Sequence, residues 1–299
     1  MKHGSRTTLI GLMTLALVGQ QPAQAQQVKS FSLSGQWAVD FAEERCTLQG
    51  TFSDGSKDLQ LIVQSYGDTD QYRATIVNAQ LPRNGGVFRD TRYALNPDTQ
   101  PRGTTMAFRG AVNGKPAISF PLVFGPELPA TLTQPSYPPA ERQNAMQAWR
   151  ASLPDYQRQL RELTLFVSAG RQVRLNTGPL SPVLDVMRSC VRDLQQRWGL
   201  DPATEDQLSQ RAHPDDETWQ RIRDSYPFGG HENAFAPVRF MVGADGIATA
   251  CVVQLPGLPE EFIAAICSRK PARFQPARDA AGQPIASIYR TDIVFQYSD

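Results

Sequence analysis

Four cysteines constrain this chain more than any other feature. Cys46, Cys190, Cys251 and Cys267 lie far apart, and no two form a C-x-x-C pair. In a chain bound for an oxidising compartment an even count reads as two disulfides, which would tie distant segments together. Three connectivities are open at this point. The compartment is read from the N-terminus. Lys2, His3 and Arg6 make a basic start, Leu9 to Val18 is an apolar run broken by Gly11 and Thr14, and Ala23-Gln24-Ala25 is an A-x-A cleavage signature. These are the three regions of a secretory signal peptide. The apolar run is shorter than the ~20 residues that cross a bilayer core. The expectation is export to the periplasm, cleavage near Ala25, and no membrane insertion of the mature chain. Zinc is a competing use for the cysteines, but only His213 and His231 follow the leader to partner them. Buried free thiols are the other alternative.

The charge balance, 30 basic against 29 acidic residues, gives no reason to expect nucleic acid or an anionic membrane surface as partner. Frequent Gly and Pro favour turns and short strands. From Phe31 to Phe124 the chain reads as short strands: Leu59, Leu61 and Val63 alternate, and Arg73 to Val77, Thr105 to Phe108 and Ala117 to Phe124 are similar. Asp54-Gly55, Asn84-Gly85-Gly86 and Asn113-Gly114 supply the turns. Pro121 belongs at a sheet edge or a bulge, because it has no N–H for a ladder. Leu128 to Pro139 carries four prolines and reads as a stiff connector. A helix is expected from Ala140 to Trp149, and a second short one from Pro154 toward Glu162. Leu163 to Val167 and Gln172 to Leu175 read as a hairpin returning to the sheet.

Ser181 as cap, Pro182 and Gly199 bound a clear helix, with Val183, Met187, Cys190, Val191, Leu194 and Trp198 on one stripe. Asp201-Pro202 starts another short helix, and His213 to Ser225 reads as polar connector. Trp37, Trp149, Trp198 and Trp219 read as core or interface residues. The expected fold class is α+β: a signal peptide over 1–25, a β-rich domain with inserted helices over 27–177, a helical connector over 178–225 and a small C-terminal domain over 226–299.

The C-terminal segment has its own order. Val238 to Val242 is a strand, Asp245-Gly246 a turn, Ile247 to Val253 a second strand, and Glu260 to Ser268 a helix with Phe262, Ile263 and Ile266 apolar. Arg273-Phe-Gln-Pro-Ala277 and Gly282-Gln-Pro284 then lead to a last strand, Ile288 to Phe295. With Tyr226-Pro227 in front, this β-β-α-β series resembles the C-terminal domain of the TonB family over about a quarter of the chain. The resemblance implies a protein-interaction module that takes up an extended peptide by strand addition at its last strand. The partner-binding residues it points to are Tyr226, Pro227, Ile288, Tyr289, Arg290, Thr291, Ile293 and Phe295. The chain departs from a working TonB transducer in four ways: its leader reads as cleavable, it shows no long Pro/Lys/Glu-rich spacer, Asn233 to Pro237 replaces the family's usual small-residue helix start, and Cys251 and Cys267 are additions. A membrane-anchored energy transducer is the alternative if the leader is retained.

In such a unit the helix must cover the sheet, because its apolar stripe has nowhere else to go. Cys251 on the second strand and Cys267 at the end of the helix are therefore expected to pair, provided their Cα atoms come within about 7 Å. By elimination Cys46 would pair with Cys190. One further motif stands out. His213 to Glu217 spells H-P-D-D-E, the signature of PIG-L/LmbE-type zinc deacetylases. No apolar strand precedes it here, Thr218-Trp219 replaces the glycine-rich turn, and no downstream His pair completes a site. It reads as an acidic loop, with a zinc hydrolase as the remote alternative. No nucleophile elbow, phosphate loop or dinucleotide fingerprint is present. The expectation is a non-catalytic periplasmic binding protein, with no cofactor and no metal, whose partner is a protein or extended peptide of the cell envelope.

Overall fold

Alternation of apolar and polar residues, cut at short intervals by turn residues, builds most of this chain into strands. The computed structural model describes residues 27–67, 70–78, 86–88, 91–98, 100–104, 107–133, 138–168, 171–223, 234–267 and 272–295. The expected leader, with its cleavage point at Ala25, lies outside them, as do Tyr226 and Pro227. Among the described residues no helix is long and apolar enough to cross a membrane.

The first body is a large curled sheet of twelve strands. In chain order these are β1 (Gln27–Leu33), β2 (Ala38–Phe41), β3 (Cys46–Ser53), β4 (Asp58–Ser65), β5 (Tyr72–Val77), β6 (Gly86–Phe88), β7 (Arg92–Leu95), β8 (Arg102–Gly103), β9 (Ala107–Val112) and β10 (Lys115–Leu122). After two helices come β11 (Glu162–Ser168) and β12 (Arg171–Asn176). The spatial order is β6-β9-β10-β5-β4-β3-β1-β12-β11-β7-β8, with β2 beside β3. The β1–β12 pair is parallel, which brings the start of the described chain against the end of this sheet. Local chemistry sets the hairpins. Asp54 Oδ1 accepts from Ser56 N and Lys57 N between β3 and β4. Asn113 and Gly114 both take positive φ between β9 and β10, as a tight primed turn requires. Among the described residues β10 pairs with β5 through Leu122 and with β9 only through Ser119. Among the described residues the proline is therefore paired on one side only, which agrees with the edge position expected for it.

The helices differ from the sequence reading in instructive ways. α1 (Ala130–Thr133) is short, and α2 runs unbroken from Pro139 to Gln159 with Pro154 inside it. A second helix starting at Pro154 is therefore not present. Trp149 before the proline and Tyr156 and Gln157 after it are all buried, and that burial on both sides outweighs one missing backbone hydrogen bond. α3 (Ser181–Arg197) begins with Ser181 as its first residue rather than its cap, and no side chain caps it. Its buried stripe is Leu184, Met187, Cys190, Val191, Leu194 and Gln195, with Val183 and Trp198 only partly covered. This stripe closes the core of the large sheet, and Cys46–Cys190 ties it to β3. The described part of 178–225 contributes to both cores. Its first half belongs to the first core, while Ala212 and Ile222 belong to the second.

The second body holds α4 (Pro202–Asp206), β13 (His213–Pro214), α5 (Asp216–Arg223), β14 (Ala234–Val242), β15 (Ala248–Val253), α6 (Glu260–Ile266), β16 (Phe274–Gln275), β17 (Ala277–Arg278), β18 (Pro284–Ile285) and β19 (Ser287–Phe295). Three strands form its sheet in the order β15-β14-β19, and β14 and β19 pair over their full length. β14 starts at Ala234, four residues earlier than the sequence pattern suggested. On one face, Ala236, Val238, Phe240, Val242 and Ile293 pack with Phe262, Ile266 and Phe274. Ile263 lies on the exposed side of α6 at 38% exposure, so the helix buries a narrower stripe than expected. Cys251 and Cys267 join β15 to the end of α6 with Cα atoms 5.7 Å apart. Both disulfide pairs are those expected.

Candidate functional site

The other face of the three-stranded sheet is turned to the first body. Alternation along β14 puts Phe235, Pro237 and Arg239 on this face, and the register sets them opposite Val294, Asp292 and Arg290. Arg239 is 5% exposed, and its Nη2 donates to both oxygens of Glu44, at 2.8 and 2.9 Å, from the loop before β3. Its guanidinium lies 4.1 Å from the Trp198 ring. Gln254 Nε2 donates to the Glu44 and Tyr66 carbonyls, both at 3.1 Å. Gly67 has φ +110°, and a Cβ there would lie 2.7 Å from the Trp198 ring, so no side chain fits. These contacts fasten the two bodies together at one end of the sheet.

Beside them runs a cleft of about 560 Å³. Ile288, Tyr289, Arg290, Thr291 and Asp292 all line it. Successive strand residues point to opposite faces, so five in a row can line one cleft only if it follows the strand's edge. β19 is the outer strand of its sheet, and among the described residues no strand pairs with that edge. The opposite wall comes from the first body: Arg73 of β5, Pro121 of β10, Trp149 and Arg150 of α2, and Gly67, Asp70 and Gln71. Glu205 of α4 closes one end.

The charges in this wall differ in how well they are satisfied. Arg150 Nε donates to Asp70 Oδ2 at 2.7 Å. Arg290 Nη1 donates to Asp292 Oδ1 at 2.6 Å. Arg73 is 5% exposed, with its guanidinium 3.6 Å from the Phe235 ring centroid and 5.4 Å from that of Phe108. It reaches Ser119 Oγ at 3.5 Å and faces Asp292 Oδ2 at 3.8 Å, but Nε and Nη2 have no hydrogen-bond partner among the described residues. Burial holds the guanidinium below its ordinary pKa. Glu205 is 4% exposed; its Oε1 accepts from Ser287 Oγ at 2.7 Å, while Oε2 has no partner among the described residues. Burial pushes this carboxyl above its ordinary value, against the opposing pull of the Ser287 bond and Arg211.

A second, more open cleft of about 730 Å³ lies beyond Val123 and Leu128, which border both. Its Arg102 is met by Asp98 and by the Tyr156 hydroxyl, which itself donates to Asp98. That triad is closed on itself and leaves no demand for a ligand.

Of the residues singled out in the sequence, the structure brings Ile288, Tyr289, Arg290 and Thr291 to the cleft along the strand edge. Tyr289 also packs inward, 5.3 Å from Phe274 and 6.3 Å from Phe240. Ile293 is 6% exposed in the second core. The side chain of Phe295, like Tyr226 and Pro227, lies outside the described residues. The H-P-D-D-E segment is not a loop. His213 and Pro214 pair with Gln275 and Phe274, and Asp215 Oδ1 accepts from Thr218 N at the start of α5. Among the described residues no group of three or more His, Cys, Asp or Glu side chains could hold a metal ion. Trp219 is 44% exposed, unlike the covered position expected for it. Sequence reasoning missed Arg73 and Glu205 altogether. The one local signal was an arginine next to Thr75 on the polar face of the alternating strand Tyr72 to Val77. Comparisons with family models, curated proteins and solved structures found no match.

Proposed function

We propose that this chain is an exported, non-catalytic binding protein that takes up an extended peptide or protein segment along the outer edge of β19. The observation that carries this reading is the cleft: five consecutive β19 residues line it, at the unpaired edge of a three-stranded sheet. An extended chain placed there gains main-chain hydrogen bonds along its length, which is the physics of strand addition. The resemblance of 226–299 to TonB C-terminal domains supports the same edge and points to the bacterial envelope. Two disulfides fit an oxidising compartment such as the periplasm, reached by cleavage near Ala25.

Hydrogen exchange tests it. Extended Thr/Val-rich peptides added to the exported chain should slow amide exchange over Ile288 to Asp292 and leave β15, the opposite edge, unchanged. Protection confined to β15 or to the first sheet would overturn the assignment of the edge. No protection with any peptide would overturn the reading.

A further inference from the structure

The two incompletely bonded charges of the cleft stand at its two ends. Glu205 is fixed to Ser287, where β19 begins, and Arg73 faces Asp292, five residues further on. At ~3.4 Å per residue those positions are roughly 17 Å apart. Both side chains are more than nine-tenths buried, and both keep polar atoms without a hydrogen-bond partner among the described residues. Buried polar groups are nearly always satisfied, so two orphans in one cleft point to a ligand that supplies what they lack. Arg73 lacks acceptors, and Glu205 lacks a donor.

We propose, building on the strand-addition reading, that the cleft selects an extended segment of about five or six residues that is charged at both ends. A carboxylate meets Arg73, and an ammonium or other N–H donor meets Glu205. The carboxylate accepts from Nε and Nη2 of Arg73, a side-by-side pair of donors suited to two carboxylate oxygens. Phe235 and Phe108 hold the guanidinium plane by stacking, so it is ordered before the ligand arrives. Between the two ends the β19 backbone supplies the ladder, which is indifferent to sequence. Length and end charge are then the selected properties. Chain termini and Lys and Glu side chains offer the same chemistry.

Fluorescence anisotropy on the full exported chain separates these. The probes are labelled peptides with a Thr-Val-Thr-Val centre. One has blocked termini with Lys first and Glu last, one has free termini with neutral side chains, and one has blocked termini with Gln at both ends. A fourth carries Lys and Glu only two residues apart. The first or the second should bind, and which of them does names the source of the charge. The Gln-ended and short-spaced peptides should bind about tenfold more weakly or worse, the loss of one charge-assisted hydrogen bond or more. Arg73→Met and Glu205→Gln should each abolish that preference while circular dichroism and β19 hydrogen exchange stay unchanged. Equal binding of all four peptides, or a preference that survives both substitutions in folded protein, overturns the inference and leaves strand addition standing. Binding of none overturns both.

Discussion

Arg73 and Arg239 invite comparison. Each lies at the seam between the two bodies, each is 5% exposed, and each stacks on an aromatic ring, Phe235 at 3.6 Å and Trp198 at 4.1 Å. Arg239 Nη2 has both oxygens of a carboxylate within 2.9 Å, while its Nε has no hydrogen-bond partner among the described residues. Arg73 has a carboxylate no nearer than 3.8 Å, and that carboxylate is already held by Arg290. The same residue in the same kind of setting is thus a fastening at one place and, on the inference drawn above, a ligand contact at the other. Burial of a charge does not by itself tell which. Unmatched atoms occur at both places, Arg239 Nε, Trp198 Nε1 and Gln254 Oε1 among them, but of the two arginines it is Arg73 that lacks a carboxylate within hydrogen-bond distance, a cost the fold must recover from something.

The largest expected effect tests the frame of the fastening. Cys46 lies two residues beyond Glu44, so the Cys46–Cys190 bond anchors the loop that meets Arg239. Its sequence separation of 144 makes it the larger constraint on the unfolded chain. Changing both cysteines to alanine should lower stability by about 5 kcal/mol, against about 3 kcal/mol for Cys251 and Cys267, in denaturant melts. Equal losses would show that the long loop is not where the bond acts.

Next is the direct contrast. Glu44→Ala strands Arg239 in the seam and should cost about 3 kcal/mol. Arg73→Met removes a charge that strands nothing, since Asp292 keeps Arg290, and should move stability by less than about 1 kcal/mol in either direction. If the two losses were alike in the same melts, Arg73 would be a fastening too.

The smallest effect concerns pH. The Glu205 carboxyl is held above its ordinary value by burial, so the folded chain keeps this proton to higher pH than the unfolded chain does. Stability from this group is therefore intact below the unfolded pKa and declines as pH rises through the folded one. Glu205→Gln should flatten that decline, measured as the melting temperature across the acidic range. An unchanged slope would place the titration elsewhere.

How far the sequence spoke depended on distance along the chain. Cys251–Cys267 and the β14, β15, α6 and β19 series were legible because a strand, a turn and an amphipathic helix follow within a short stretch, where 2.0 and 3.6 periodicities can be read directly. The α3 stripe was legible for the same reason, apart from the exchange of Leu184 for Val183. The cleft was not. Arg73 sits on β5, whose alternation reads as one covered and one wet face, yet β14 and β19 arrive from more than 150 residues away to cover the second face. Glu205 reads as the tail of a capped polar turn, and only its bond to Ser287 shows it to be interior. Pro154 misled because local propensity knew nothing of the packing on either side of it.

The position of Pro121 bears on how such a molecule survives at high concentration. If β19 is kept available for a partner as proposed, that edge is also an invitation to every other strand in the compartment, including those of identical molecules. Among the described residues the pairing of β10 with β9 ends at Ser119, and beyond it that side of β10 has a row of backbone donors with no described strand beside it. Pro121 removes a donor from that row, so the tail of β10 is a poor template for stacking copies into aggregates. On the proposed function, a residue that looks like a defect in a strand is then a solubility device beside the cleft.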